Sequence, residues 1–294
     1  MLRHRLATIL AVAGCIAAAS APASASGPAP SSGFVPSAVA SASAPATTTA
    51  ATASVPVTRA AAGNRKAYAT MGNPAPRWNP CAVIGYRFNP TRAPKGALTD
   101  VKGAVRRISS ATGLRFVYRG TTSAVPRAKR GYNADYPSDT QLVIAWVYPG
   151  KQSEWLAQNK LAGMGGPAWS TGYTAKGKET GMIHWAGVVL NANIKLSGGF
   201  GAGPRYGWQG TRGQLLMHEI GHAIGLGHPG INDTKQIMYG TMTHKKAVWG
   251  AGDLTGLKLV GRSQGCLQAD PPGATAAALT LPGTILDTGG FALP

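Results

Sequence analysis

The chain has 294 residues and carries 29 basic against 10 acidic side chains, which gives a formal net charge of +19 at neutral pH. Its hydrophobic content of 44% is enough apolar material for one sizeable core. The tightest basic cluster, Arg127, Lys129 and Arg130, is not part of a nucleic-acid-binding motif, so we do not expect nucleic acid as a partner. A solvated basic surface that attracts acidic polymers or anionic membranes is the simpler interpretation.

The first 25 residues have the pattern of a signal peptide. Arg3 and Arg5 precede an apolar run over residues 6–19, and residues 23–25 (ASA) form an A-x-A cleavage site. The run is too short for a membrane-spanning helix. The sequence therefore predicts a secreted, extracellular protein without a transmembrane segment. The alternative is a lipid anchor on Cys15, because the preceding residues VAG complete a bacterial lipobox pattern.

Composition divides the rest of the chain into three parts. Residues 26–65 are rich in Ala, Ser, Pro and Thr, so we expect a disordered spacer or pro-segment whose inhibitory role the sequence leaves open. Residues 66–266 have the mixed composition of a globular domain. Residues 267–294 are low in charge and rich in Pro, Gly, Ala and Thr, which predicts a low-complexity tail of unknown role.

The order of strands and helices predicts an α+β or α/β domain with a twisted sheet, and of these we expect α+β with a mixed sheet. An early amphipathic helix has its apolar stripe at Val101, Val105 and Ile108 and ends at Gly113. The run over 141–147 is nearly all apolar, so it should be a central strand. In chain order the predicted elements are a strand over 78–89, the helix over 97–112, strands over 116–118 and 141–147, a glycine-rich irregular edge segment over 162–169, and a strand over 186–191.

Residues 211–229 (TRGQLLMHEIGHAIGLGHP) carry the chemistry-bearing motif. Thr211 and Gln214 form a capping-box pattern that begins a helix. His218 and His222 are four residues apart, so both rings lie on one face of that helix, within reach of one metal ion.

A third histidine and an acidic residue complete the candidate site. Gly225 can end the helix in a left-handed conformation, after which His228 returns to the metal from another direction. Three protein ligands leave one position for water, which is typical of a catalytic zinc site. Glu219 lies next to the metal-facing side and is predicted to act as the base, whereas a structural or storage site has no use for one.

The motif HEIGHAIGLGH resembles the metzincin signature H-E-x-x-H-x-x-G-x-x-H. Ten residues after His228, Met238 resembles the methionine of the Met-turn, which forms a hydrophobic floor beneath the metal in that clan. Tyr239 follows directly, as in the matrixin-like branch. Gly240 stands where the astacin-like branch has a tyrosine ligand, so no tyrosine ligand is proposed.

The resemblance implies a secreted zinc metalloendopeptidase that hydrolyses protein or peptide substrates. One Zn²⁺ is held by His218, His222 and His228, with Glu219 as general base. Residues 162–169 correspond to the edge strand that pairs with substrate, and residues 252–261 to the last helix. Departures from the family are the missing cysteine-switch motif and structural zinc site, and the scarcity of carboxylates, so calcium is not expected to be required.

Two other functions stay open from the sequence. One is a zinc hydrolase that cuts peptide crosslinks of a cell wall, which the positive charge would suit. The other is a catalytically silent surface-binding module, although Glu219 argues against it. We expect a monomer.

The cysteine count predicts one disulfide bond. Loss of Cys15 with the signal peptide leaves Cys81 and Cys266, an even number in an oxidising compartment. The predicted bond ties the start of the domain to its end. The alternative is two separate buried thiols.

Overall fold

The computed structural model describes residues 60–127, 135–157, 160–206 and 209–272, and the backbone of 284–285 and 291–292. The predicted signal peptide with Cys15, most of the predicted spacer, and Lys129 and Arg130 lie outside these residues. No helix in the described part of the chain is long and apolar enough to cross a membrane.

The described residues form an α+β structure with three α-helices and a mixed sheet. The helices are α1 (Ala97–Thr112), α2 (Arg212–Ala223) and α3 (Ala251–Val260). The strands are β1 (Ala69–Thr70), β2 (Arg77–Trp78), β3 (Val83–Asn89), β4 (Arg115–Thr121), β5 (Leu142–Val147), β6 (Leu161–Thr174), β7 (Glu179–Asn191), β8 (Leu226–Gly227), β9 (Leu267–Gln268), β10 (Thr284–Ile285) and β11 (Phe291–Ala292).

Five strands form the body of the main sheet, in the order β4-β3-β5-β7-β6. The first four are parallel to one another, whereas β6 runs antiparallel to β7. All six residues of β5 are buried, as expected for a strand that has neighbours on both sides and is covered on both faces. The short strands β1 and β8 pair separately, and β2 pairs with β7.

Helix α1 has the bounds that the sequence predicts, and Gly113 ends it with a φ of 72°. Its apolar stripe packs with the alternate β5 residues Leu142, Ile144 and Trp146 in the main core cluster, which also contains the buried side of α2. The next residue of β5, Val147, belongs to a second, smaller cluster. Because successive side chains of a strand point to opposite faces, both faces of the sheet are covered.

The structure corrects the prediction of an irregular edge segment over residues 162–169. The segment belongs to the 14-residue strand β6, which pairs with β7 along most of its length, with one register shift between Ala168 and Trp169. It is also not a free edge, because β9, β10 and β11 pair with its outer side. The glycines have a different cause, which is close packing: a Cβ at Gly165 would collide with the backbone carbonyl oxygen of Glu219 in α2.

The predicted disulfide is confirmed: Cys81 is bonded to Cys266, and their Cα atoms are 5.5 Å apart. Cys81 lies just before β3, and Cys266 just before β9. Hydrogen bonds support the same junction, since Arg77 Nη1 donates to the Gly265 carbonyl at 2.7 Å and Asn79 Nδ2 to the Leu267 carbonyl at 2.9 Å. The end of the domain is therefore fixed to its beginning.

Candidate metal centre

Thr211 caps the N-terminus of α2 as the sequence predicts, but Gln214 does not complete the predicted capping box. The Thr211 side chain accepts from the backbone N–H of Gln214 at 3.3 Å. The Gln214 side chain does not return to the cap, and instead donates to Thr243 Oγ1 at 3.1 Å. Arg212 Nε donates to Asp100 Oδ2 at 2.8 Å, so a largely buried ion pair joins α2 to α1.

Three imidazole rings converge at the other end of α2. The Nε2 atoms of His218 and His228 are 3.0 Å apart, and the Nε2 atom of His222 lies 3.1 Å from each of them. Ligands about 2.05 Å from a tetrahedral zinc ion lie about 3.3 Å from each other. The observed triangle is within about 0.3 Å of that size, so the three nitrogens could bind one metal ion.

Hydrogen bonds determine the tautomers of the two helical histidines. His218 Nδ1 lies 2.7 Å from the carbonyl oxygen of Ile237, and His222 Nδ1 lies 2.8 Å from that of Leu226. A carbonyl oxygen only accepts, so each Nδ1 carries the hydrogen and each Nε2 of the neutral ring holds a lone pair. The contact between these two Nε2 atoms is therefore not a hydrogen bond. A cation between them could bind both lone pairs, in the arrangement that metal-binding histidines adopt.

Burial also keeps these rings neutral. Desolvation lowers the pKa of His218 well below its usual value and that of His222 to about 3. The pKa of His228, which is less buried, is lowered by the same cause. Neutral imidazoles are the form that ligates a metal ion.

The chain reverses at Gly225 as the sequence predicts. Its φ is +105°, and a Cβ there would collide with the carbonyl oxygen of Pro76, so a side chain is excluded both by conformation and by space. The next two residues form β8, and His228 follows. The reversal therefore brings the third imidazole back to α2, and it also presents the Leu226 carbonyl to His222.

Glu219 is completely buried and does not belong to the metal-binding cluster of the described residues, which consists of the three histidines. Neither of its carboxylate oxygens makes a hydrogen bond of good geometry, although the backbone N–H of Gly165 approaches the carboxylate. Desolvation raises its pKa well above the usual value; the backbone amide of Gly165 lowers it, but by less. A buried carboxyl group without a well-formed hydrogen bond is costly, and a water or substrate atom held at the metal would supply one.

Met238, the residue that resembles the methionine of the Met-turn, packs against α2. Its Sδ atom packs against the backbone of Gly221, so that a Cβ at Gly221 would collide with the sulfur. Gly221 stands between Glu219 and His222, and the contact therefore brings the methionine under the metal-binding part of the helix.

The sequence did not single out Asp253 as part of the site, although it holds the same turn in place. Its Oδ2 accepts from the backbone N–H of Ile237 at 2.6 Å and of Gly250 at 2.8 Å, and its Oδ1 accepts from Met238 at 3.1 Å. The Ile237 carbonyl in turn orients His218. Burial raises the Asp253 pKa to about 6, and the three backbone N–H groups partly oppose that rise.

A scan against protein-family models and a search of the curated proteins both returned no match to this chain. The described site is thus defined by its own residues: a buried triad, His218, His222 and His228, that could bind a metal ion, with Glu219 beside it.

Proposed function

We propose that this chain is a secreted zinc-dependent metalloendopeptidase with a metzincin-like, matrixin-type catalytic domain. The observation that carries the proposal is the combination of three converging Nε2 atoms with the fully buried carboxylate of Glu219, whose oxygens make no hydrogen bond of good geometry. A structural metal site needs only its ligands. Beside such a site, a buried carboxylate would destabilise the fold and would not contribute to metal binding.

The ligand type favours zinc. Calcium and magnesium require several oxygen ligands each, whereas the triad offers three imidazole nitrogens and no oxygen. Three imidazoles with an open fourth position are a common set for catalytic zinc. The neutral tautomers support the same choice, because the second ring nitrogen of each helical histidine is held by a backbone carbonyl.

When bound, zinc supplies Lewis-acid chemistry, since it acidifies water and polarises the scissile carbonyl. Glu219 accepts a proton from the attacking water and passes it to the leaving amine nitrogen. Burial raises the pKa of Glu219 above its usual value, which is the direction that favours a carboxyl group able both to take and to release a proton. Met238 and Asp253 act as positioning residues that support α2 and His218.

The arrangement of the fold supports the resemblance outside the motif. The antiparallel strand β6 lies directly against α2, so close that Gly163 and Gly165 have no room for side chains beside Glu219. An extended substrate that adds to a strand beside the metal brings its scissile bond to the base.

A second candidate is hydrolysis of peptide crosslinks in a cell wall. The net charge of +19 favours it, because it would concentrate the enzyme on acidic polymers. Comparing casein turnover with release of wall fragments at low and high salt separates the two. Wall hydrolysis without casein turnover would replace the first proposal.

The proposal is tested with the exported chain and its bound metal. We expect about one zinc per chain by elemental analysis, and casein hydrolysis that stops with a zinc chelator and returns on adding zinc but not magnesium or calcium. Full activity in the metal-free protein, or stoichiometric zinc with neither casein nor wall hydrolysis, would contradict it.

A further inference from the structure

Three short strands from the C-terminal part of the chain pair with the outer edge of β6. The strands β9, β10 and β11 all pair with β6 and all run antiparallel to it. The residue numbers rise along the tail as they fall along β6. The paired residues are Leu267 with Thr174, Gln268 with Tyr173, Thr284 with Trp169, Ile285 with Ala168, Phe291 with Gly163, and Ala292 with Leu161.

The last of these strands lies beside the candidate active site. Phe291 pairs with Gly163, and a Cβ at Gly163 would stand 2.9 Å from Glu219 Oε1. The strand β11 also contacts α2. Glu219 itself has no exposed surface, although a catalytic carboxylate must be reached by substrate. The strand β11 thus pairs with the stretch of β6 that lies beside Glu219.

The resemblance places bound substrate at the outer edge of β6. We propose that β10 and β11 of this protein's own tail occupy that edge as an intramolecular competitor of substrate. The autoinhibition that follows from this inference rests on the proposed function. The pairing of β10 and β11 with β6 does not depend on catalysis.

The chemistry of both partners suits this pairing. An open sheet edge offers backbone N–H and C=O groups to any extended chain, and the affinity comes mainly from the main chain. Residues 273–294 contain one charged side chain, Asp287, and β6 contains none, so no repulsion opposes docking. The partner that fits this edge is an extended, weakly charged peptide.

The covalent connection makes the tail an effective competitor. The disulfide at Cys266 fixes its base, and only residues 269–283 separate β9 from β10. A linker of this length gives an effective concentration in the millimolar range or so. A peptide substrate competes with the tail for the same edge, so a higher substrate concentration is needed to occupy it. The tail should therefore raise KM and leave kcat nearly unchanged.

Kinetics of tail variants test the autoinhibition. One variant ends after Pro272. A second keeps the full chain and carries Ile285→Pro and Phe291→Pro, because proline removes a backbone donor and disfavours pairing. Ala277→Pro, outside β10 and β11, is the matched control. With a neutral peptide substrate we expect KM to fall at least tenfold in both variants, kcat to change by less than about twofold, and the control to match the wild type.

A binding measurement separates this inference from the proposed function. A fluorescent synthetic peptide of residues 273–294 is added to the full chain and to the double-proline chain, both with Glu219→Ala to prevent cleavage. Fluorescence anisotropy should show tighter binding to the double-proline chain by at least tenfold. Equal or absent binding overturns the inference whatever the kinetics show, as does an unchanged KM in active protein. If the peptide binds more tightly to the double-proline chain but no variant hydrolyses peptides, the tail occupies the edge of β6 and the proposed protease function is wrong.

Discussion

The close packing of β6 against α2 predicts the effect of one added methyl group. In Gly165→Ala the new Cβ would stand 2.7 Å from the backbone carbonyl carbon of Glu219 and 3.0 Å from its Cα. Carbon atoms in favourable contact are about 3.5–4.0 Å apart. Strand and helix must therefore separate by about 1 Å at the residue proposed as the base.

Overpacking of this kind costs about 1–3 kcal/mol, which lowers Tm by roughly 3–10 °C in a domain of this size. A 1 Å displacement of a catalytic group costs about 10²-fold in rate. We expect kcat/KM to fall about 100-fold with zinc retained, since His218 and His222 move with α2. Gly201→Ala is the control, because its Cβ meets open space. Calorimetry and peptide hydrolysis measure both effects; wild-type stability and activity in Gly165→Ala would refute the described packing.

Three further changes test other parts of the account. Cys81→Ser opens a loop spanning 185 residues and should cost about 4–5 kcal/mol in the free energy of unfolding without altering zinc content, which calorimetry and elemental analysis check. Burial raises the Asp253 pKa from 3.8 to about 6, so the folded state favours the protonated carboxyl group. Its contribution to the free energy of unfolding is complete below pH 4 and is lost as pH rises through 6. The wild type should thus lose on the order of 3 kcal/mol relative to Asp253→Asn between pH 4 and pH 7, and parallel profiles in denaturant titrations would refute this. Selective calcium removal with zinc retained should leave Tm unchanged, and a large drop would reveal a calcium site that the sequence does not predict.

Local patterns predicted those parts of the fold that local forces determine. The bounds of α1 follow from its apolar stripe and from Gly113, and the reversal at Gly225 follows from a glycine in a position that needs positive φ. The histidine cluster follows from helical periodicity together with that reversal. The disulfide follows from the parity of the cysteines. None of these required knowledge of distant contacts.

The features that the sequence did not predict depend on distant contacts. Glycine usually weakens a strand, so residues 162–169 read as irregular, yet Gly165 is required by a helix some fifty positions later. Asp253 binds backbone groups of a turn that precedes it by about fifteen residues, and no local pattern signals this. The low-complexity tail gave no strand signal, because β10 and β11 owe their conformation to the edge of β6.

The central claim is that Glu219 moves the proton while the histidines hold the metal, and one pair of variants tests it most directly. Zinc content and peptide hydrolysis are measured for Glu219→Ala and His222→Ala beside the wild type. Glu219→Ala should keep about one zinc per chain and lose at least about 10²–10⁴-fold in kcat, whereas His222→Ala should lose both zinc and activity. Near-wild-type hydrolysis by Glu219→Ala, or loss of zinc as complete as in His222→Ala, would contradict the account.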